Sequence, residues 1–412
     1  MTWTNLQRTL LAVGGQGSGA LREANTRLLV GELRKSGPTT RPALARETGL
    51  AKQTVSTIVA RLVADGVARE VGYSPADRGG GRPAVLVEYA ADRVLVAGIE
   101  LGVGRTRVMV ADALGTPLSV RDATPAGLRR RRPAAEVLDA VVAALLEEVA
   151  GFGGRDRLRA VGISVTGLVQ PASGTCLLAP NLGWRDVPVA RLVEERLAAT
   201  GGTVPVIVRG AAQASLIAEH REGSVVGEPD VVLLFEDEGI GAAVVEGGHL
   251  VEGVDGSAGE LGHCAWPGAT ERCGCGRRGC VETLASGPAV RRAVEAATGH
   301  RFRRRAGVPT YAALADHSDD ARVVTAVEHA GRVLGTAASW LTAITAPRVV
   351  VLSGALASAP PQLGAALAAV LQERALHGAP AKVVAGSLGA DAALRGVVLL
   401  ALDRSRAAVQ EG

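Results

Sequence analysis

The segment that most narrows the choice of fold is GELGHCAWPGATERCGCGRRGCVE, residues 259–282. It gathers four of the chain's five cysteines, Cys264, Cys273, Cys275 and Cys280, beside His263, while Cys176 stands apart. Clustered thiols in a reducing compartment point to a metal rather than to disulfides. One imidazole and three thiolates, from His263, Cys273, Cys275 and Cys280, suit a closed tetrahedral zinc site, and glycines at 274, 276 and 279 let the backbone turn tightly around the ion. Cys264 is the surplus thiol. A site with four protein ligands keeps no open coordination position, so this zinc is structural, not hydrolytic. The plainer reading of the same residues is a loop of free thiols. Glu260 and Glu282 flank the ligands on the same loop, placed to offer carboxylates to ligand hydroxyls, with His263 giving one ring nitrogen to zinc and the other to a ligand. Taken singly, either Glu reads as a surface or ion-paired residue.

The rest of the composition fits a packed cytoplasmic protein. With 412 residues, 47% hydrophobic and 21% charged, the chain has room for two or three domains. Its longest apolar runs, Val349–Leu352 and Val397–Leu402, fall far short of the roughly 18 to 20 residues of a membrane span. The opening MTWTNLQRTLLAVGGQGSG lacks the order of a secretory signal, and residues 1–20 read as a flexible tail. Residues 1–91 hold 12 Lys and Arg against 7 Asp and Glu, so the first segment carries the whole of the chain's net +4. A basic module on a near-neutral body is the electrostatic layout of a nucleic-acid binder with a separate second function.

Residues 21–90 supply the pattern to match. Leu28, Leu29 and Leu33 recur at helical spacing between Glu23 and Lys35, and Gly37-Pro38 stops that helix. In RPALARETGLAKQTVSTIVARLVA, residues 41–64, a short helix around Ala43, Leu44 and Ala45 turns at Gly49-Leu50 into a second, whose buried stripe is Val55, Ile58, Val59 and Leu62. The other face shows Lys52, Gln53, Thr54, Ser56, Thr57 and Arg61, all hydrogen-bond donors suited to a major groove. Ala51 stands where a capping Ser, Thr or Asp is usual. After Asp65-Gly66, two strand-like runs around a Gly-rich turn form a wing, with Arg82 as a candidate phosphate or minor-groove contact. The competing reading is a three-helix packing or dimerisation module.

From Val94 the chain changes to short β-rich runs (VLVAGIEL, RTRVMVADALG, LRAVGISV, VPVIVRG, DVVLLFED and RVVVLSGAL) separated by helices, which makes an α/β body. Arg129–Arg132 reads as an exposed loop.

These segments resemble the ROK family (repressor, open reading frame, kinase) in its repressor branch, from about Arg22 onward. The likeness is carried by REANTRLLVGELR, ETGLAKQTVSTIVARLVADG, GGGRPAVLVEY, APNLGWRDVPV, GIGAAVVEGGHLVEGVDGSAGELGH and CGCGRRGCVETLAS. It implies a winged helix-turn-helix followed by a two-lobed actin-like, ribonuclease H-like sugar-kinase fold with a zinc loop. Lobe 1 spans 94–208, with a C-terminal helix at 389–406 packing back on it, and lobe 2 spans 209–388. Matching positions nominate Asn181, Glu260, His263 and Glu282 as sugar contacts. The departures are as telling. Where the kinases carry Asn-Asp, with the Asp as general base, this chain has Arg209-Gly210, and glycine accepts no proton. The first phosphate loop, usually Asp-x-Gly-Gly-Thr, reads Glu100-Leu101-Gly102-Val103-Gly104-Arg105. The second, usually Gly-Thr-Gly before Ile-Gly, reads Glu236-Asp237-Glu238-Gly239, three carboxylates that would repel a triphosphate. Ser353-Gly354-Ala355 stands where an adenosine-contacting Gly-Gly is common. Arg209 then becomes a candidate for an anionic ligand, a sugar phosphate or sugar acid, unless it pairs with one of the new acidic residues.

The expectation is a DNA-binding regulator, not an enzyme: a homodimer or homotetramer on an inverted-repeat operator in double-stranded DNA, responding to a sugar or sugar derivative in a kinase-like cleft. Two other readings remain, an active ATP-dependent sugar kinase with a DNA-binding appendage and a ligand-independent DNA-binding regulator.

Overall fold

The computed structural model describes residues 18–75, 83–124, 132–302, 310–376 and 380–411. The chain divides into two compact units, Met1–Val94 and Leu95–Gly412.

In the first unit, helix α1 (Ser18–Ser36) is followed by strand β1 (Thr39–Thr40), helices α2 (Arg41–Thr48) and α3 (Lys52–Ala64), and strands β2 (Ala68–Tyr73) and β3 (Val85–Tyr89). The start of α2 is capped by Thr40, whose hydroxyl accepts the Ala43 N–H, and its end by Gly49 in the left-handed region at φ 72°. Helix α3 starts at Ala51 with no side-chain cap, which leaves its first N–H groups open. Leu29, Leu33, Leu44, Val55, Val59 and Val87 form the core, all 0–1% exposed. Leu28, read from spacing as part of the same stripe, is exposed, because the i, i+4 pair Leu29 and Leu33 takes the inward face. The three strands pair in the order β1-β3-β2.

The second unit repeats one sheet plan twice. In lobe 1, β4 (Leu95–Leu101), β5 (Thr106–Asp112), β6 (Pro117–Asp122), β7 (Leu158–Val165) and β11 (Val206–Gly210) lie in the order β11-β7-β4-β5-β6. Helices α4 (Ala134–Gly151) and α5 (Val189–Ala198) join the same apolar core, and β8 (Leu168–Gln170), β9 (Thr175–Ala179) and β10 (Trp184–Val187) form a small antiparallel sheet. Helix α6 (Ala211–Glu222) leads into lobe 2. There β12 (Val231–Glu236), β13 (Ile240–Glu246), β14 (His249–Leu250), β15 (Val349–Gly354) and β16 (Lys382–Ala385) lie in the order β14-β13-β12-β15-β16. Numbered within each lobe, both orders are 3-2-1-4-5, with the first strand antiparallel to the second and parallel to the fourth.

Central strands buried on both faces read as unbroken apolar runs, and every residue of β4 is buried. Lobe 2 adds α7 (Glu282–Ala285), α8 (Gly287–Thr298), α9 (Thr310–Ala315), α10 (Ala321–Thr345) and α11 (Pro361–Arg374). The last helix, α12 (Ala392–Glu411), crosses back onto the lobe 1 sheet, where Leu394 and Val398 join Val96, Met109 and Ala160. Its approach depends on Gly162, since a Cβ there would lie 2.0 Å from the Val397 carbonyl oxygen. Among the described residues no helix is long and apolar enough to cross a membrane.

Candidate functional sites

The apolar spacing of α3 settles which of its faces turns inward. Val55, Ile58, Val59 and Leu62 are buried, while Lys52, Gln53, Ser56, Thr57 and Arg61 are exposed and Thr54 is half-buried. The Thr57 hydroxyl donates to the Gln53 carbonyl at 3.0 Å, and Arg61 sits 3.5 Å from Asp65. Arg82 and the Gly79–Gly81 turn of the wing lie outside the described residues, as do residues 1–17 and most of the Arg129–Arg132 run.

The loop after β13 is pinched by two antiparallel bridges, Ala265 with Cys280 and Arg272 with Arg278. Gly279 must be glycine, for its φ is 70° and a Cβ would lie 2.4 Å from the Ala269 carbonyl oxygen; Gly276, at φ 95°, makes the neighbouring turn. This folding brings one donor atom from each of His263, Cys273, Cys275 and Cys280 within 4.8 Å of every other. Cys273 Sγ is 3.6 Å from His263 Nδ1, and Cys275 Sγ is 3.7 Å from Cys280 Sγ. Zinc–sulfur and zinc–nitrogen bonds of about 2.3 and 2.0 Å meeting at tetrahedral angles set ligand separations of roughly 3.5 to 3.8 Å; these two pairs have that spacing, and the four donors together form a cluster that could hold a metal ion. Cys264 is exposed and takes no part.

The same loop reaches the interior of the lobe. Glu282 opens α7, with Oε2 accepting the Ile240 N–H at 3.1 Å and Oε1 lying 3.4 Å from Cys273 Sγ. Asn181, Glu260, His263 and Glu282 line one cavity, joined by Thr166, Gly210 and Gln213. Burial raises the pKa of Glu260, opposed by His263 and reinforced by Glu282. Gly239 permits the closeness of two of these groups: a Cβ there would stand 2.5 Å from Glu282 Oε2 and 3.0 Å from Asn181 Nδ2.

Arg209 does not join this cavity. Its guanidinium pairs with Glu252 at 3.1 Å and donates to the Val208 carbonyl, so the acid it meets is not one of those at 236–238. Glu252, Gln213 and Thr166 were not singled out from the sequence, because their roles rest on residues far along the chain: Gln213 donates to the Gly256 carbonyl and Thr166 to Asp237.

The phosphate-loop positions carry a buried network. Glu100 accepts from Arg107 at 2.6 Å and has Arg105 at 3.7 Å, while Arg107 also pairs with Asp391 and donates to the Ala390 carbonyl. Asp237 accepts from the Thr166 hydroxyl at 3.3 Å and from the backbone of Val103, and packs so close to Gly102 that a Cβ there would lie 2.7 Å from its Oδ2. Burial raises its pKa, with Arg105 opposing. Glu236 turns inward, accepting the Gly287 N–H at 3.0 Å, and burial pushes its carboxyl up to about 8. The expected wall of three carboxylates is thus different in kind. Glu236 is largely protonated at neutral pH, and Asp237 is spent on the first loop.

Known proteins place this geometry. Residues 22–69 match the winged helix-turn-helix DNA-binding family. The chain is 31% identical to a putative xylose repressor of Caldicellulosiruptor sp. strain Rt8B.4 over 268 residues, 65% of this chain and 64% of that protein's length. It is 26% identical to the xylose repressor of Bacillus subtilis strain 168 over 93% of this chain and 96% of the relative. Its structure is similar to that of a ROK hexokinase from Thermus thermophilus, with a TM-score of 0.60 and 29% identity, covering 76% of this chain and all of the hexokinase. Residues 96–404 match the ROK family throughout, and with the two lobes and their cavity laid out as above the chain belongs to that family.

Proposed function

We propose that this chain is a cytoplasmic DNA-binding transcriptional repressor of carbohydrate-related genes, released from its operator by a sugar or sugar derivative held in the Asn181–Glu282 cavity. The observation that carries the reading is Gly210. The cavity keeps Asn181, Glu260, His263 and Glu282, four groups suited to sugar hydroxyls, yet the lining position at which the resemblance puts a proton-accepting Asp has no side chain. A ligand is bound there and not phosphorylated. The acidic network at the phosphate loops supports the same conclusion.

In this reading residues 21–90 bind DNA through Lys52, Gln53, Thr54, Ser56, Thr57, Arg61 and Arg82, and the two lobes, which divide at the end of β11 near Gly210, bind the effector, with 389–406 belonging to lobe 1. His263, Cys273, Cys275 and Cys280 hold a structural zinc, which supplies a rigid cross-link to the loop presenting Glu260 and Glu282. Nδ1 of His263 faces Cys273 Sγ, leaving Nε2 for the ligand. The protein acts as a homodimer or homotetramer on an inverted repeat. The effector shifts DNA affinity only by its own preference for one of two conformations.

The names of the xylose repressors support this reading, and the likeness to a hexokinase sets its test. The full chain is titrated onto a fluorescent fragment of its own upstream DNA, with and without pentoses, hexoses and amino sugars, beside a coupled ATP assay on the same sugars. Release of DNA by a sugar without ATP turnover is expected. ATP turnover would restore the kinase reading, and DNA binding indifferent to every sugar would favour the ligand-independent one.

A further inference from the structure

The ligand cavity has a neighbour. On the metal-loop side lies a second cavity lined by Glu238, Glu271, Arg272, Ser286 and Arg292, and Pro180, Asn181 and Glu282 line both. The partition between them is thin and fixed. Glu282 is anchored by the Ile240 N–H, Asn181 lies across Gly239 from it, and a Cβ on Gly274 would be only 3.6 Å from the Asn181 amide oxygen. A ligand gripped by Asn181 and Glu282 therefore touches residues that also line the second space.

The chemistry of that space selects what enters it. Three carboxylates, from Glu238, Glu271 and Glu282, face two guanidinium groups, from Arg272 and Arg292, and Arg292 is already paired with Glu271 at 3.0 Å. Among the described residues that line it there is no cationic excess to hold a phosphate or a sugar acid. Donors and acceptors of both kinds, beside the apolar edges of Pro180 and Pro288, suit a neutral ring rich in hydroxyls. Arg209, the cation read from the sequence as a candidate for an anionic ligand, is paired with Glu252.

We infer that the effector is a neutral O-glycoside: one ring lies among Asn181, Glu260 and Glu282, and its O-linked second ring fills the adjoining cavity against Glu238, Arg272 and Arg292. The inference deepens the sugar-effector reading and rests on it. A free monosaccharide leaves the outer cavity to water, whereas a disaccharide exchanges that water for bonds to fixed side chains.

The test is calorimetric titration of the zinc-loaded full chain with three matched pairs: xylose and xylobiose, glucose and cellobiose, N-acetylglucosamine and its β-1,4 dimer. At least one disaccharide should bind about tenfold or more tightly than its monosaccharide, the equivalent of one or two net hydrogen bonds. Arg292→Ala, at an exposed helix position, should bring that ratio towards one, and Asn181→Ala should weaken both members of the pair. Thermal melts without sugar show whether each variant is folded; should Arg292→Ala fail to fold, Arg292→Gln takes its place. Monosaccharides binding as tightly as every disaccharide would overturn the inference and leave the sugar reading intact. A disaccharide preference unmoved in the Arg292 variant would overturn the placement of the second ring. Binding of no sugar of either size would remove the sugar reading and this inference together.

Discussion

Replacing Glu236 by glutamine asks whether the acid beside the second phosphate loop carries charge. The residue is 2% exposed, its carboxyl accepts the Gly287 N–H, and burial raises its pKa from an ordinary 4.5 to about 8. The folded protein thus holds this proton more tightly than the unfolded chain. The resulting stability is fully present below pH 4.5, where both states are protonated, and is lost as pH rises to about 8. At about 1.4 kcal/mol per pKa unit the full loss is on the order of 5 kcal/mol, of which roughly 3 kcal/mol is already gone at pH 7. Glutamine resembles the protonated acid in shape and cannot ionise. Relative to the wild type, Glu236→Gln should be nearly neutral at pH 4.5, more stable by about 3 kcal/mol at pH 7, and more stable still at pH 8.5. Differential scanning calorimetry of the larger unit reads this as a gain of roughly 4 to 5 °C in its Tm at pH 7. A variant less stable than the wild type at pH 7 and above would refute the reasoning, since it would mean that the fold uses the carboxylate charge.

Three other perturbations probe the remaining sites. Cys275→Ser or Cys280→Ser should lower bound zinc from one equivalent to near zero by plasma mass spectrometry and cost several kcal/mol in the larger unit; unchanged zinc content would refute the ligand set. Lys52→Ala should weaken operator binding nearly uniformly and reduce the salt dependence of log K by about one, whereas Gln53→Ala should cost about 1 to 3 kcal/mol and relax base preference at one position. An unaltered footprint in both would displace α3 from the groove. Arg107→Ala strips buried Glu100 of its closest cation and should cost about 3 to 5 kcal/mol, partly recovered by adding Glu100→Gln; equal losses in the single and double variants would refute the pairing.

How far the sequence could be read depended on whether a feature was local. The helix-turn-helix was legible because Val55, Ile58, Val59 and Leu62 and the turn at Gly49 lie within a few residues of one another, and the metal cluster because its four donors span 263–280. The phosphate loops were legible only as a change of residue type. Their letters showed that glycines had become acids, and charge counting then predicted repulsion. Whether an acid repels depends on what surrounds it, and those neighbours lie far away in the chain. Glu236 faces Gly287, fifty-one residues on, and Arg107 reaches Asp391 across 284. The acid that pairs with Arg209 was out of view for the same reason, since Glu252 lies forty-three residues on.

Asp237 shows what the charge count missed. It lies at the end of β12 in lobe 2, yet its carboxylate accepts from the Val103 backbone and the Thr166 hydroxyl of lobe 1, with Arg105 close enough to offset its charge. Backbone N–H groups of a glycine-containing loop, a hydroxyl and a nearby guanidinium are the donors such a loop offers to a phosphate. Here the chain supplies its own carboxyl group to them. On the proposed reading, the acid at this position does more than discourage a nucleotide: it bonds the first loop from within and links the two lobes. In the proposed repressor, Gly210 leaves the cavity without a proton acceptor and Asp237 occupies donors of the first loop, so the two residues would act against opposite partners of a phosphoryl transfer.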